Sequence, residues 1–450
     1  MNPIPDRSPY DLADGVSRRR FLGIAGGVGA GLALAACGGK SGPPGAAGSG
    51  EVFTGTYDGP NVNLAFWNGF TGGDGPFMKK MVNDFNAANQ NIKVAMTTSQ
   101  WADYYQKVPA AVLGGKGPDV GIAHVDQLAT LAARQTVLPL DDVATELKLA
   151  ESDFVSTVWN AGIYKGKRYG IPLDVHCLAQ YWNEDLTGKA NLSAAPATKD
   201  EFEAALAATR GAGVGTPFWM PSLWPSHLMF MSLVWQFGGA PFSDDGGKAT
   251  FDSDAAISAL SWQVEQITKG FSPKNVAIDT QYNAFKTGRN AYTWDGIWQI
   301  NDLKSTASGL KWGIAFVPTI GQQQAVWSNG HNFVLMRQRN ADQNKLQAAK
   351  LFINYISSHS AQWAGAGMIP ARNSERQSAD FAKTTQAAVA KNVDNLRFLP
   401  SVPGLGDVIS QTIEKAVNKA TLLQQPPADA LREAAANANK LLADNRKKFG

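Results

Sequence analysis

Three carboxylates and a set of indoles carry most of the chemistry this sequence could perform. Asp126, Asp174 and Asp295 are acids of the type that share acid and base roles at a glycosidic bond, so a pair brought together would suit an exported glycoside hydrolase. The chain also holds 13 tryptophans, and flat rings facing water are what the C–H faces of a sugar stack on. Trp67 and Phe70 follow the first apolar alternation, with Phe70 just beyond Gly69. Trp219 and Trp224 lie in Phe-Trp-Met-Pro-Ser-Leu-Trp-Pro, which proline bars from regular helix, so a cleft wall is expected there. Trp294, Asp295 and Trp298 come as a group, and Trp101 opens a helical stretch. His124, His176, His331 and Arg372 could hold a hydroxyl, a carboxylate or a phosphate, which makes a phosphorylated sugar or a glycerophosphodiester an alternative cargo. Each residue also has a plainer reading: a core ring for Trp67, a helix cap for Asp126 or Asp295, a buried structural ring for His176, a surface charge for Arg372. No Gly-x-Ser-x-Gly, His-Glu-x-x-His or clustered Cys/His motif is present, so no catalytic residue, metal site or cofactor is expected.

These residues need elements to place them. Val62, Leu64 and Phe66 alternate as in a strand, and Ile92, Val94 and Met96 repeat the pattern. Between them Asp74 and Pro76 can open a helix whose face carries Phe77, Met81 and Phe85. A helical stretch from Trp101, interrupted at Pro109, leads to a third strand over 117–123 and a helix at Asp126. Thr198 and Glu201 form a capping box, and Ser253-Asp254 starts a helix with Ile257, Leu260, Val264 and Ile267 inward. Residues 292–294 and 312–318 read as strands. Beyond about 341 the chain is mostly helical, with Leu346, Ile353 and Ile356 on one face and a long final helix from Pro427. Strands alternating with helices argue an α/β fold built on parallel sheet.

The N-terminus says where the protein works. Ser17, Arg18, Arg19, Arg20, Phe21 and Leu22 match the twin-arginine export pattern, and Leu34-Ala35-Ala36-Cys37 resembles a bacterial lipobox. The apolar run between them has 16 residues, five of them Gly, too short for a membrane span of roughly 20. Residues 1–36 are therefore expected to be a signal peptide, with Cys37 lipidated and 37–60 a flexible Gly/Ser/Pro tether. The body is expected to act outside the cytoplasm as a monomer, lipid-anchored in the periplasm or on the outer face of the membrane. With Cys37 modified, only Cys177 remains, so no intrachain disulfide can form. A net charge of +3 over 450 residues gives no footprint for nucleic acid.

From about residue 61 onward the chain resembles the extracellular solute-binding proteins of ABC importers, in particular their carbohydrate-binding group. The matching segments keep the family order: Leu64-Ala-Phe-Trp67, Gly117-Pro-Asp-Val120, Leu138-Pro-Leu-Asp141, Gly166-Lys-Arg-Tyr-Gly-Ile-Pro172, Tyr181-Trp-Asn183, Phe285-Lys-Thr-Gly-Arg-Asn-Ala291, Trp294-Asp-Gly-Ile-Trp298 and Met368-Ile-Pro-Ala-Arg372. The resemblance implies a two-lobed periplasmic-binding-protein fold with discontinuous lobes, hinge strands and a central ligand cleft. One lobe would take 61–172 and 331–370, the other 173–330 and 371–450. It implies a receptor without catalytic activity that captures a sugar or oligosaccharide by hinge closure and delivers it to permease subunits in the membrane. By the same resemblance Trp298 is a stacking aromatic, Asp126 a hydroxyl acceptor and His176 stands where a carboxylate is usual. Trp327, Asn329 and His331 occupy one crossover and Arg372 another. Ala123 and Gln127 replace the family's tryptophan and arginine, which points to a different ligand, with His124 beside the vacated space.

Overall fold

The computed structural model describes residues 55–450; the export signal, Cys37 and the tether through residue 54 lie outside the described residues. Strand β1 (Val62–Asn68) buries Val62, Leu64, Phe66 and Asn68 on one face and turns Trp67 to the other, the period-2 consequence of its apolar alternation. It pairs in parallel with β2 (Ile92–Thr98) on one side and β3 (Val120–His124) on the other. The helices Gly75–Ala88 and Trp101–Leu113 make the crossovers. Two details depart from expectation. Asp74 accepts from the Gly72 N–H at 3.1 Å instead of capping the helix it precedes. Pro109 stays inside its helix, which buries Tyr104 and Val108 and so tolerates one missing N–H.

A short hairpin, β4 (Ile163–Tyr164) and β5 (Lys167–Arg168), precedes β6 (Ile171–Pro172). The chain then passes through Leu173 into β7 (Asp174–Asn183), the long central strand of a second sheet. Three strands pair antiparallel with β7 in turn: β8 (Tyr292–Gly296), β9 (Trp312–Ala315) and β10 (Val326–Asn329). After Gly330, β11 (His331–Leu335) returns to the first sheet between β3 and β6, antiparallel to both. The helix Gln343–Ser358 covers that sheet, and β12 (Ile369–Pro370) crosses back to pair with β7. A last strand, β13 (Leu396–Arg397), lies parallel to β10. The architecture is α/β, but parallel pairing is confined to β1 with β2 and β3 and to β10 with β13. The second sheet is largely antiparallel, since β8, β9, β10 and β12 all run against β7.

The capping box is present: Thr198 Oγ1 accepts from the Glu201 N–H and Glu201 Oε2 from the Thr198 N–H. The core of the second lobe is aromatic, with Trp262 and Trp294 stacked at 5.3 Å and 12° and both packed against Phe202 and Phe218. The final helix runs Pro427–Phe449. Among the described residues no helix is long and apolar enough to cross a membrane.

Candidate ligand-binding site

The site forms where the chain crosses between the sheets. Two of the passages run side by side: the Leu173 N–H donates to the His331 carbonyl at 2.8 Å, and the His331 N–H donates to Asp174 Oδ1 at 3.0 Å. Asp174 is fully buried and accepts three further contacts, from Trp363 Nε1 at 2.5 Å, His331 Nδ1 at 2.8 Å and His176 Nδ1 at 3.4 Å. Burial alone would raise its carboxyl; His331 beside it, and the hydrogen bonds from both rings, hold it well below the usual carboxylate range. Asp174 therefore organises the site from beneath and does not face a ligand, contrary to the direct role expected of it.

Above this carboxylate three histidines meet. His124 ends β3, His331 opens β11 directly opposite it, and His176 lies on β7 opposite Asn329. Ring centroids are 4.6 Å apart for His124 and His331, 4.7 Å for His176 and His331, and 5.6 Å for His124 and His176. Burial, reinforced by the neighbouring imidazoles, depresses His124 well below its ordinary value, and burial also lowers His176. His124 is held from its own lobe by Tyr105, whose hydroxyl lies 2.7 Å from Nδ1 and accepts the His124 N–H at 2.9 Å.

Aromatic rings continue the cluster into both lobes. Trp101 stacks on His331 at 5.5 Å and 16°, and on Tyr105 one helical turn later at 5.7 Å and 20°. On the other side Trp298 meets His176 edge-on at 5.8 Å, and Trp224 follows it at 6.1 Å. Trp67, Trp101, Trp224 and Trp298 are all half-buried, leaving part of each ring accessible. Trp67 packs with Trp101 and Tyr105 on a small apolar cluster around Tyr104 and Ala123. Both principal plates lie against glycine, since a Cβ on Gly69 would meet the Trp101 ring at 2.0 Å and one on Gly296 the Trp298 ring at 2.1 Å.

Asp126 supplies an acceptor beside the rings. It interacts with Asn329 and Gln127, yet its Oδ1 is buried without a hydrogen-bond partner, and burial raises its carboxyl. Asn329 Oδ1 accepts the Gly330 N–H at 2.9 Å, fixing the turn into β11.

Five expectations are corrected. Phe70 is fully buried beneath the site, edge-on to Trp101 and His331 and 4.7 Å from Trp363, because the Gly69 turn sends it inward. Trp294 is core, stacked on Trp262, while Trp298 lies beyond the end of β8 in the turn Ile297–Gln299 that follows Gly296 and so takes a different direction. Asp295 is buried, accepts from Gly296 N–H at 2.7 Å and from Gln281 and Gln299 at 3.3 Å, and so braces the turn before Trp298. Trp219 is held elsewhere, by Thr216 at 3.0 Å and Arg289 across its ring. Arg372 bonds Ser357 at 2.9 Å and Asp153 at 3.4 Å over the Phe154 ring, so the cation a phosphate cargo would call on is committed. Asp174 and Asp295 are thus both buried in hydrogen-bond networks.

Two contributors were not singled out from sequence. Tyr105 was legible, standing four residues after Trp101 on one helix face; nothing local marks Trp363. Elsewhere the Gly404 N–H donates to Thr130 Oγ1 at 2.9 Å, and Gly73 lies close to Asn301.

Two lobes on separate sheets, three strand passages and an aromatic site between them are the build of a hinged receptor. The chain belongs to the bacterial extracellular solute-binding protein family, whose sequence pattern matches residues 80–389, and the family acts outside the cytoplasm. A Brucella abortus (strain 2308) protein described only as a binding protein is 24% identical over 377 residues, covering 82% of this chain and 90% of its own. The maltodextrin-binding protein MdxE of Bacillus subtilis (strain 168) is 23% identical over 338 residues, 71% of this chain and 76% of its own. Among solved structures the GacH receptor of Streptomyces glaucescens GLA.O, determined unliganded and with acarbose, superposes with a TM-score of 0.75 at 20% identity over 85% of this chain and 99% of that one.

Proposed function

We propose that this protein is the substrate-binding receptor of an ABC importer that captures a sugar or oligosaccharide between its lobes and delivers it to a membrane permease. The observation that carries the reading is the run of rings Trp101, His331, His176, Trp298 and Trp224, which passes from one lobe to the other with part of each indole left open. Indole faces stack on pyranose C–H surfaces, and the unpartnered Asp126 Oδ1 is an acceptor for a ring hydroxyl. The similarity to maltodextrin-binding MdxE and to the acarbose-binding GacH receptor supports the same class of cargo. Micromolar affinity requires about −8 kcal/mol, which two or three stacked plates and a few charge-assisted hydrogen bonds supply.

Nothing in this task needs a reaction, so we read the chain as non-catalytic and monomeric. Cys37 would carry the lipid that keeps it near its permease. A thermal-shift screen of the purified chain against mono-, di- and trisaccharides tests the cargo, and a melting point unmoved by every sugar would refute it. Turnover of a disaccharide would refute a pure receptor. Labelling with radioactive palmitate in cells, with and without Cys37→Ser, tests the anchor.

A further inference from the structure

We propose that His124, His176 and His331 form a binding site for a divalent transition-metal ion of the Zn²⁺ class at the floor of the cleft. One ring nitrogen of each lies within 4.8 Å of the other two. Hydrogen bonding decides which nitrogens these are. Asp174, as a carboxylate, only accepts, so the His331 and His176 Nδ1 atoms facing it at 2.8 and 3.4 Å carry the protons. That leaves a lone pair on each Nε2. His124 has its Nδ1 2.7 Å from the Tyr105 hydroxyl; with the proton on Nδ1 and the hydroxyl accepting it, Nε2 again holds a lone pair for the cluster. In that tautomer three imidazole lone pairs share one space, and an electron-pair acceptor between them relieves their repulsion. A sugar hydroxyl can satisfy one such acceptor; a metal ion satisfies all three.

The surroundings have the form that metal-ligating histidines require. An imidazole ligand characteristically donates its other N–H to a carboxylate or similar group, which fixes tautomer and ring orientation. Here one carboxylate, itself secured by the Trp363 indole N–H and the His331 backbone N–H, serves two of the rings. A phenol serves the third. Three neutral nitrogen donors leave one position of a tetrahedral ion open, as in zinc sites that bind a water or an exchangeable ligand. Zn–N bonds of about 2.0–2.1 Å bring the nitrogens to about 3.3–3.4 Å apart, which side-chain rotation from the present spacing achieves. His124 and His331 belong to the first sheet, His331 at the crossing from the second, and His176 to the second, so the ion ties the two sheets together at the crossing. The proposal does not depend on the cargo.

The test is a titration of the purified full chain, stripped with EDTA, with Co²⁺ and then Zn²⁺, in the absence of sugar. The expected result is one ion per chain, visible absorption bands of a low-symmetry Co²⁺ centre, and displacement of Co²⁺ by Zn²⁺ with a higher melting temperature. Tyr105→Phe, which loses an outer contact, should weaken binding by about 10–100-fold. His124→Gln and His176→Gln should each weaken it further and abolish the Co²⁺ bands. His124 is the most exposed of the three rings, so His124→Gln, with its fold checked by circular dichroism, keeps the test open even if His176→Gln unfolds the chain. Absence of stoichiometric uptake by the unaltered chain would overturn the proposal, as would uptake that His124→Gln leaves unchanged. The sugar screen, run in EDTA, stands or falls separately.

Discussion

The β-carbon that Gly69 lacks would lie 2.0 Å from the indole of Trp101. Gly296 stands in the same relation to Trp298 at 2.1 Å, so each lobe lays its principal plate over a bare backbone. Gly69→Ala and Gly296→Ala should each displace an indole and lower affinity for a sugar that shifts the melting point by about tenfold, about 1.4 kcal/mol. Titration calorimetry reads this directly. Unchanged affinity in both variants would mean that the rings are not held for a ligand.

Trp294 and Trp298 are four residues apart and should answer opposite experiments. Trp294 is fully buried against Trp262, so Trp294→Ala should cost about 3–5 kcal/mol of stability. Trp298 is partly exposed in the cleft. Trp298→Ala should leave urea unfolding nearly in place and cut sugar affinity by about 10–100-fold, about 1.4–2.8 kcal/mol. Equal stability losses would contradict the separation of core from cleft.

Asp295 predicts a pH dependence. Burial pushes its carboxyl up to about 7 from an ordinary 3.8. Well below pH 3.8 it is neutral folded or unfolded. As pH rises toward 7 the unfolded chain ionises it while the folded chain resists, so this group costs stability progressively, reaching on the order of 4 kcal/mol above pH 7. In Asp295→Asn that dependence is gone. The melting temperature of the variant relative to the unaltered protein should therefore fall as the buffer goes from pH 8 to pH 5. A pH-independent difference would show that Asp295 ionises normally.

At the crossing, a β-carbon on Gly330 would come within 2.6 Å of the Asp174 carbonyl oxygen. That oxygen belongs to backbone and cannot swing away, so Gly330→Ala should destabilise the protein by about 1–3 kcal/mol and pry the two passages apart. The thermal midpoint measures the first effect. Small-angle scattering, expected to give a larger radius of gyration, measures the second.

Much of the fold was legible in local pattern. The alternation at Val62, Leu64 and Phe66, the Thr198 to Glu201 capping box and the helix from Pro427 depend on neighbours in sequence, and each appears as read. The site was less so. Trp294 and Trp298 look alike in sequence, and only the turn at Gly296 separates an inward ring from an outward one. Arg372 reads as a free cation until Asp153, more than 200 positions earlier, is folded against it. The histidines illustrate the same limit. A search for clustered Cys and His finds none, because 124, 176 and 331 become neighbours only through the pairing of β11 with β3 and of β10 with β7.

Asp174 joins recognition to mechanics. Its carboxylate clasps the strand that leaves one lobe to the strand that enters it, and the same two oxygens set the imidazoles from which the cleft is built. Selectivity and the ease of opening are thus adjusted by one side chain. Descendants of this receptor that acquire a new cargo by altering those rings must also inherit a different spring.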